Sequence, residues 1–384
     1  MDAVCNISEY IVQPNSLGNL LSNFNNLNSG VLILNVNPLI GEVVVGAVLY
    51  STAFVYTCSD FLYPYLLLLS LPISKCENLE DKENKSQKLH PYFITGFSDG
   101  ESYFTVSIRR NNNMKIGWLV EVIFGINLHK KDRALLEQIK SFLGVGKVTN
   151  RVDNAVQYRV SSIKDLDLII NHFDKYPLIS QKKADYELWK QAFLLVKRKE
   201  HLTIEGLHKI VSIRATLNKG LTEELKDSFP CVIPIPRPLV TNQEITDPNW
   251  ISGFVSAEGC FRIDTYKAKT KVGLAVNLNF YITQHVRDTA LMENLVQYLN
   301  CGLYRSVSDQ DWGNYVVKRI SDITENLIPF FNKYQIEGEK VKDFEGFKQA
   351  AEIMETKSHL TKEGLFKINQ IKAEMNKGRS TKLT

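Results

Sequence analysis

The sequence predicts an α+β protein in which one domain, of element order αββαββα, occurs twice in tandem. Three observations carry that expectation. Blocks of residues recur at a near-constant offset. Within each copy, some stretches alternate apolar and polar residues as a half-buried strand does, and others repeat apolar residues at helical spacing. A Pro-rich segment separates the copies, as a domain boundary would.

The repeat is read directly from the residues. His90-Pro91-Tyr92-Phe93-Ile94-Thr95-Gly96-Phe97 matches Asp247-Pro248-Asn249-Trp250-Ile251-Ser252-Gly253-Phe254. His129-Lys130-Lys131-Asp132 matches His285-Val286-Arg287-Asp288. His201-Leu202-Thr203 and Glu205-Gly206-Leu207 return as His359-Leu360-Thr361 and Glu363-Gly364-Leu365, and Asn218-Lys219-Gly220 as Asn376-Lys377-Gly378. The offset stays between 156 and 158, too long for a solenoid repeat and right for two similar domains. The expected domains are 90–229 and 248–384, joined by a linker over 230–247.

Each element has its own signal. Pro91 and Pro248 stand where a helix begins. Phe104, Val106 and Ile108 alternate with Tyr103, Thr105, Ser107 and Arg109, which predicts a strand with one polar face. A second strand is expected at Val120–Leu128 and Leu274–Thr283, then a helix at Arg133–Leu143 and Thr289–Leu299. Two more strands surround Lys147–Thr149 and Val156–Val160, with partners Leu303–Arg305 and Tyr315–Arg319. Helices at Ile163–Phe173, Lys183–Val196 and His208–Leu217 close the first copy.

Residues 1–89 differ from the rest. They carry four lysines, no arginine and eight acids, a balance of −4, which leaves +8 for residues 90–384 out of a total of +4. A basic excess in the larger part fits a polyanion partner, although a lysine-biased soluble surface fits it equally on charge alone. Val43–Ser59 is 17 uncharged residues, at the lower limit for a membrane span. A marginal span, a buried segment and a leader are all open there, the leader ranking first, and Lys75–Lys88 reads as a linker. The six cysteines form no CxxC pair, which points away from a zinc ribbon or disulfide scaffold, and the seven histidines form no HExxH.

The ends of the two repeated helices carry the chemistry. Gly96 and Gly100 lie four apart on one helix face, as do Gly253 and Ala257, and small residues at that spacing let two helices approach almost backbone to backbone. Tight packing inside each domain is the plainer reading; packing of the two copies on each other is the sharper one. Next stand Glu101 and Glu258. A carboxylate at a helix C-terminus faces the negative end of the dipole, and two brought together repel. A cation between them relieves both costs, and Mg2+ takes oxygen ligands and bridges phosphates.

Ile94–Ser102 and Ile251–Gly259 resemble the two motifs of the LAGLIDADG homing endonucleases in their single-chain form, with Ser102 in place of the usual final Gly. The resemblance covers residues 90–379 and is nearest to intron-encoded enzymes of fungal mitochondria; Tyr176–Lys182 and the two His-Leu-Thr blocks share it. It implies a saddle of two αββαββα halves, with the motif helices at the interface and antiparallel sheets lining a DNA groove. It implies Mg2+ as cofactor, with Glu101 and Glu258 as ligands and the carbonyls of Gly100 and Ala257 as further candidates. Lys182 follows the family's PLxxxK pattern and Lys340 occupies the same place in the second copy; a lysine there stabilises charge developing on a phosphate. Gln284 is a candidate for positioning water, its counterpart being Leu128.

The polar strand faces suit a duplex. The first copy offers Tyr103, Thr105, Ser107, Arg109, Asn111, Gly125, Asn127, Lys147, Thr149, Arg151, Gln157 and Arg159. The second offers Arg262, Asp264, Tyr266, Asn277, Asn279, Tyr281, Thr283, Arg305, Trp312, Asn314 and Lys318. Arg, Asn and Gln read purine edges in the major groove, where strands can enter. Different side chains in the two copies imply a non-palindromic site. Arg109-Arg110 and Lys267, Lys269 and Lys271 are candidate phosphate contacts. The expected function is site-specific double-strand cleavage that promotes intron mobility, by a monomer; the alternative is an RNA maturase that binds its host intron. The expected location is mitochondrial, with residues 1–89 an exon-derived segment, membrane-associated before it is trimmed.

Overall fold

In the computed structural model of the 384-residue chain, residues 89–376 are described, together with the backbone of residues 10–11, 31–37 and 42–48. The chain forms two compact units, Met1–Asn84 and Lys85–Thr384. In the first, β1 (Tyr10–Ile11), β2 (Val31–Asn37) and β3 (Glu42–Val48) make an antiparallel sheet of order β1-β3-β2. The start of the uncharged stretch therefore lies in β3, while residues 49–59 and the charged run over 75–88 lie outside the described residues. Among the described residues no helix is long and apolar enough to cross a membrane.

The second unit holds two halves that repeat the same order of elements, apart from the short helix Glu223–Ser228, which has no counterpart among the described residues. The first half runs α1 (Pro91–Glu101), β4 (Ser102–Arg110), β5 (Trp118–His129), α2 (Arg133–Leu143), β6 (Lys147–Asn150), β7 (Ala155–Val160) and α3 (Ile163–Lys175). Helices α4 (Lys182–Lys197), α5 (Ile204–Thr216) and α6 (Glu223–Ser228) follow. The second half runs α7 (Pro248–Glu258), β8 (Gly259–Lys267), β9 (Leu274–His285), α8 (Thr289–Leu299), β10 (Leu303–Ser306) and β11 (Trp312–Val317). It ends in a helix over residues 320–333 (α9), then α10 (Lys340–Glu355) and α11 (Lys362–Glu374). Each sheet is antiparallel, in the orders β4-β5-β7-β6 and β8-β9-β11-β10.

Alternation decides what each strand buries. Phe104 and Val106 of β4 and Phe261 and Ile263 of β8 face the helices, inside two separate apolar cores. Trp189 anchors the first core and its indole donates to the Ile123 carbonyl at 3.0 Å, so its polar atom is satisfied. Full burial of each neighbouring Leu, Ile or Phe contributes about 1.5–3 kcal/mol. The repeated Asn218 and Asn376 explain themselves here. Both adopt positive φ, of 56° and 50°, and their amides donate to the carbonyls of Phe104 and Phe261 at 2.8 and 2.9 Å. The His-Leu-Thr blocks are likewise structural: Thr203 and Thr361 cap α5 and α11, accepting from the amides of Gly206 and Gly364.

One sequence expectation changes. The last strand ends at Val317, so Lys318 and Arg319 lie beyond it. In α9 a π turn occupies Ile323–Leu327, just before Pro329, which has no amide proton to give the helical ladder.

Candidate active site

Helices α1 and α7 pack along their small residues. A Cβ on Gly96 would fall on the carbonyl of Trp250, and one on Gly253 would fall on the carbonyl of Phe93. A Cβ on Gly100 would meet the Ala257 methyl. Glycine is required at the first two positions by the partner backbone itself, which cannot move aside. The helices thus cross between the halves, and their C-terminal carboxylates arrive together.

Glu101 is half-buried. Burial pushes its carboxyl above the usual range, the negative charge of Glu258 pushes it further, and the cations of Lys340 and Lys182 pull it back. Each helix passes straight into a strand. Ser102 sits at φ −80°, an ordinary extended value, so the usual Gly is not needed there for backbone reasons. In the second half a Cβ on Gly259 would strike the Val255 side chain. In the first half that neighbour is Ser98, and the Ser102 hydroxyl donates to its carbonyl at 2.6 Å. The two positions exchange size as a pair, which accounts for Ser102.

The lysines stand at equivalent places. Lys182 Nζ donates to the Gly100 carbonyl at 2.6 Å and the Ser98 carbonyl at 3.1 Å; Lys340 Nζ donates to the Ala257 carbonyl at 2.7 Å. Burial lowers the affinity of both amines for their protons, and Glu258 and Glu101 oppose that shift. A cavity of about 620 Å3 opens beside Glu101 and Lys340, with Asn127, Leu128 and Asp132 in its wall. Gln284 pairs with Gly313 and shares the helix-side face of β9 with Ile282.

Asp99 was not singled out by the repeat, because its counterpart is Ser256. Its carboxylate accepts from the amides of Ile179 and Ser180 at 3.1 and 3.2 Å, the Ser180 hydroxyl at 2.5 Å and the Trp250 indole at 2.8 Å. It fastens the segment before Lys182 to both motif helices. Ser256 does the smaller equivalent, its hydroxyl accepting from the Glu337 amide at 3.0 Å.

The donor set suits a hard cation. Among the described residues no cluster of three or more His, Cys, Asp or Glu is gathered, so the acidic centre is two carboxylates and main-chain oxygens. Mg2+ binds through one or two carboxylates and keeps several waters, which this pair fits. The carbonyls of Gly100 and Ala257 each already accept from a lysine, which leaves one lone pair apiece for a further ligand.

Register places most of the expected DNA-reading residues on one face of each sheet. Tyr103 lies opposite Gly125, Gly125 opposite Arg159, and Asn127 opposite Gln157, while Lys147 and Thr149 pair with Arg159 and Gln157. In the second half Arg262 lies opposite Asn279, Asp264 opposite Asn277, and Thr283 opposite Asn314. Three of the expected positions carry intramolecular contacts of their own. Gly125 is covered by the Tyr103 ring, whose hydroxyl accepts from Gln157 at 2.7 Å. Asn279 is 3% exposed and donates to Asp264 at 2.8 Å, so Asp264 and Arg262 present that surface instead. Arg110 falls on the helix side by alternation, over the Trp118 ring and 3.3 Å from Glu224. The sequence reading also passed over Glu121, which pairs with Arg109 at 2.9 Å and Arg159 at 3.7 Å.

Comparison with known proteins follows the same division. The family described as LAGLIDADG endonuclease matches residues 94–193 and 251–351. A relative from Neurospora crassa, named probable intron-encoded endonuclease 2, is 39% identical over 339 residues, 80% of this chain and 73% of its own length. The crystal structure of the I-SmaMI LAGLIDADG homing endonuclease bound to cleaved DNA superposes with a TM-score of 0.74 at 45% identity, covering 76% of this chain and 98% of that one. The same enzyme bound to uncleaved DNA target in the presence of calcium ions gives 0.74 at 45%, covering 75% and 99%. The described halves form the two-domain α+β saddle of these neighbours.

Proposed function

The chain belongs to the LAGLIDADG endonuclease family, and on that premise we propose that it is a Mg2+-dependent endonuclease that cuts both strands of a long, non-palindromic DNA site. The observation that carries this reading is the pairing of Glu101 and Glu258 at the ends of packed helices, each beside a half-buried lysine. Glu101, raised by burial and by Glu258, is relieved by a bound cation. When bound, Mg2+ polarises the scissile phosphate and stabilises the charge that develops on it. Lys182 and Lys340 place ammonium groups beside the acids, oriented by main-chain carbonyls, where they stabilise the same charge without reorganising. Asp99 and Ser256 hold the segments that carry those lysines.

The polar sheet faces supply recognition. Arg109, Arg159, Gln157 and Asn127 on the first sheet differ from Arg262, Asn277, Tyr281 and Asn314 on the second, so each half reads a different half-site. Both active halves reside in one chain, which supports action as a monomer. Division at 90–229, 230–247 and 248–384 is part of the same proposal. Similarity to a fungal intron-encoded protein supports a mitochondrial intron as the home of the gene and intron mobility as the outcome. Cleavage of a randomised duplex library by the full chain, with Mg2+ and with EDTA, tests the reading. Recovery of one Mg2+-dependent site supports it; binding without cleavage moves the assignment to an RNA-binding splicing partner.

A further inference from the structure

The repeated turns Lys130–Asp132 and Val286–Asp288 end in aspartates that stand at the N-cap positions of α2 and α8. An N-cap aspartate ordinarily accepts from an amide of its own helix. Neither does so here. Asp288 Oδ1 accepts instead from the Gln181 amide at 2.7 Å, in the other half, and Asp132 Oδ1 accepts from the Glu339 amide at 2.8 Å, again in the other half. Gln181 and Glu339 are the N-caps of α4 and α10, and the next residues are Lys182 and Lys340. Two-way exchange across the interface, at the same place in both copies, is not what local capping would produce.

The surroundings are shaped for this contact. Asp288 is 3% exposed and its Oδ1 also accepts from Gln243 of the linker at 2.8 Å. Gln243 donates to the Ile179 carbonyl as well, so linker, aspartate and lysine-bearing segment are one network. On the other side Gly338, at φ +77°, brings its backbone against Asp132; a Cβ there would stand 2.7 Å from Oδ1. A carboxylate also suits the N-terminus of α4 or α10.

We propose that Asp132 and Asp288 are positioning residues, each fixing the lysine of the opposite half, so that the two cutting centres are set jointly. This rests on the endonuclease reading above. An aspartate lost from one half then disables the lysine of the other. The sheet face on its own side, which reads DNA, is left intact.

The test uses the full chain with Asp132→Ala, Asp288→Ala, the two Asp→Asn variants, and Lys182→Ala and Lys340→Ala as references. Strand-resolved cleavage is measured on the duplex that the wild type cuts. Asp288→Ala and Lys182→Ala are expected to slow the same strand by about tenfold or more relative to the other, leaving nicked DNA. Asp132→Ala and Lys340→Ala are expected to slow the opposite strand. Asn retains an acceptor oxygen, so the Asn variants are expected to cut both strands nearly as the wild type does.

A second measurement needs no cleavage. Reductive methylation of the DNA-free protein, read by mass spectrometry, is expected to change at Lys182 and not Lys340 in Asp288→Ala, and the reverse in Asp132→Ala. Equal slowing of both strands, or an unchanged rate at the far lysine, overturns the proposal. If the wild type cuts no duplex, the endonuclease reading fails and methylation alone decides this one.

Discussion

The Asp99 carboxylate on α1 accepts a 2.8 Å hydrogen bond from the Trp250 indole on α7, so an acid of one motif helix is held by the other. Burial raises its carboxyl above the usual range, and the bonds from Ser180, Trp250 and Ile179 oppose that shift. Asp99→Ala would leave those donors without their acceptor at about 1–3 kcal/mol each. A loss of about 3 kcal/mol or more is expected in urea unfolding, with a smaller loss for Asp99→Asn.

Gly96 and Gly253 are each pressed against a carbonyl of the facing helix. Gly96→Ala and Gly253→Ala force the helices apart and are expected to cost about 2–3 kcal/mol apiece in chemical denaturation. Stability equal to the wild type in either variant would mean that the helices do not meet as described.

Glu101 gives a prediction with a definite sign. Its folded carboxyl is raised, so its contribution to stability is fully present below the unfolded value of about 4.5 and is lost as pH rises through the folded value. Without divalent metal, Glu101→Gln is therefore expected to melt above the wild type at pH 7. The difference is expected to close below pH 4.5. Added Mg2+ should raise the wild-type midpoint and leave the variant's nearly unchanged.

Glu121 neutralises Arg109 and Arg159 in the absence of DNA. Glu121→Gln frees both for phosphates. Non-specific duplex binding is expected to tighten several-fold, with the log–log salt slope steeper by about one. A flatter slope would show that Glu121 itself engages the duplex favourably.

Much of this was legible in residue types alone. The repeat, the alternation of Phe104, Val106 and Ile108 and the Pro-led helices follow from local periodicity, which the fold leaves intact. What escaped is what depends on two distant segments meeting. Asp99 looks like any helix acid until Ile179, Ser180 and Trp250 converge on it. Gly125 looks like an accessible strand residue until Tyr103 lies across it. Ser102, a departure from the usual motif, makes sense only beside Ser98 and against Val255–Gly259.

Strand-resolved cleavage in Mg2+ tests most directly whether Glu101 and Glu258 act as one cutting centre. Glu101→Gln and Glu258→Gln are each expected to bind the target duplex as the wild type does while losing double-strand cleavage by about a hundredfold or more. Cutting of both strands at the wild-type rate by either variant would contradict it.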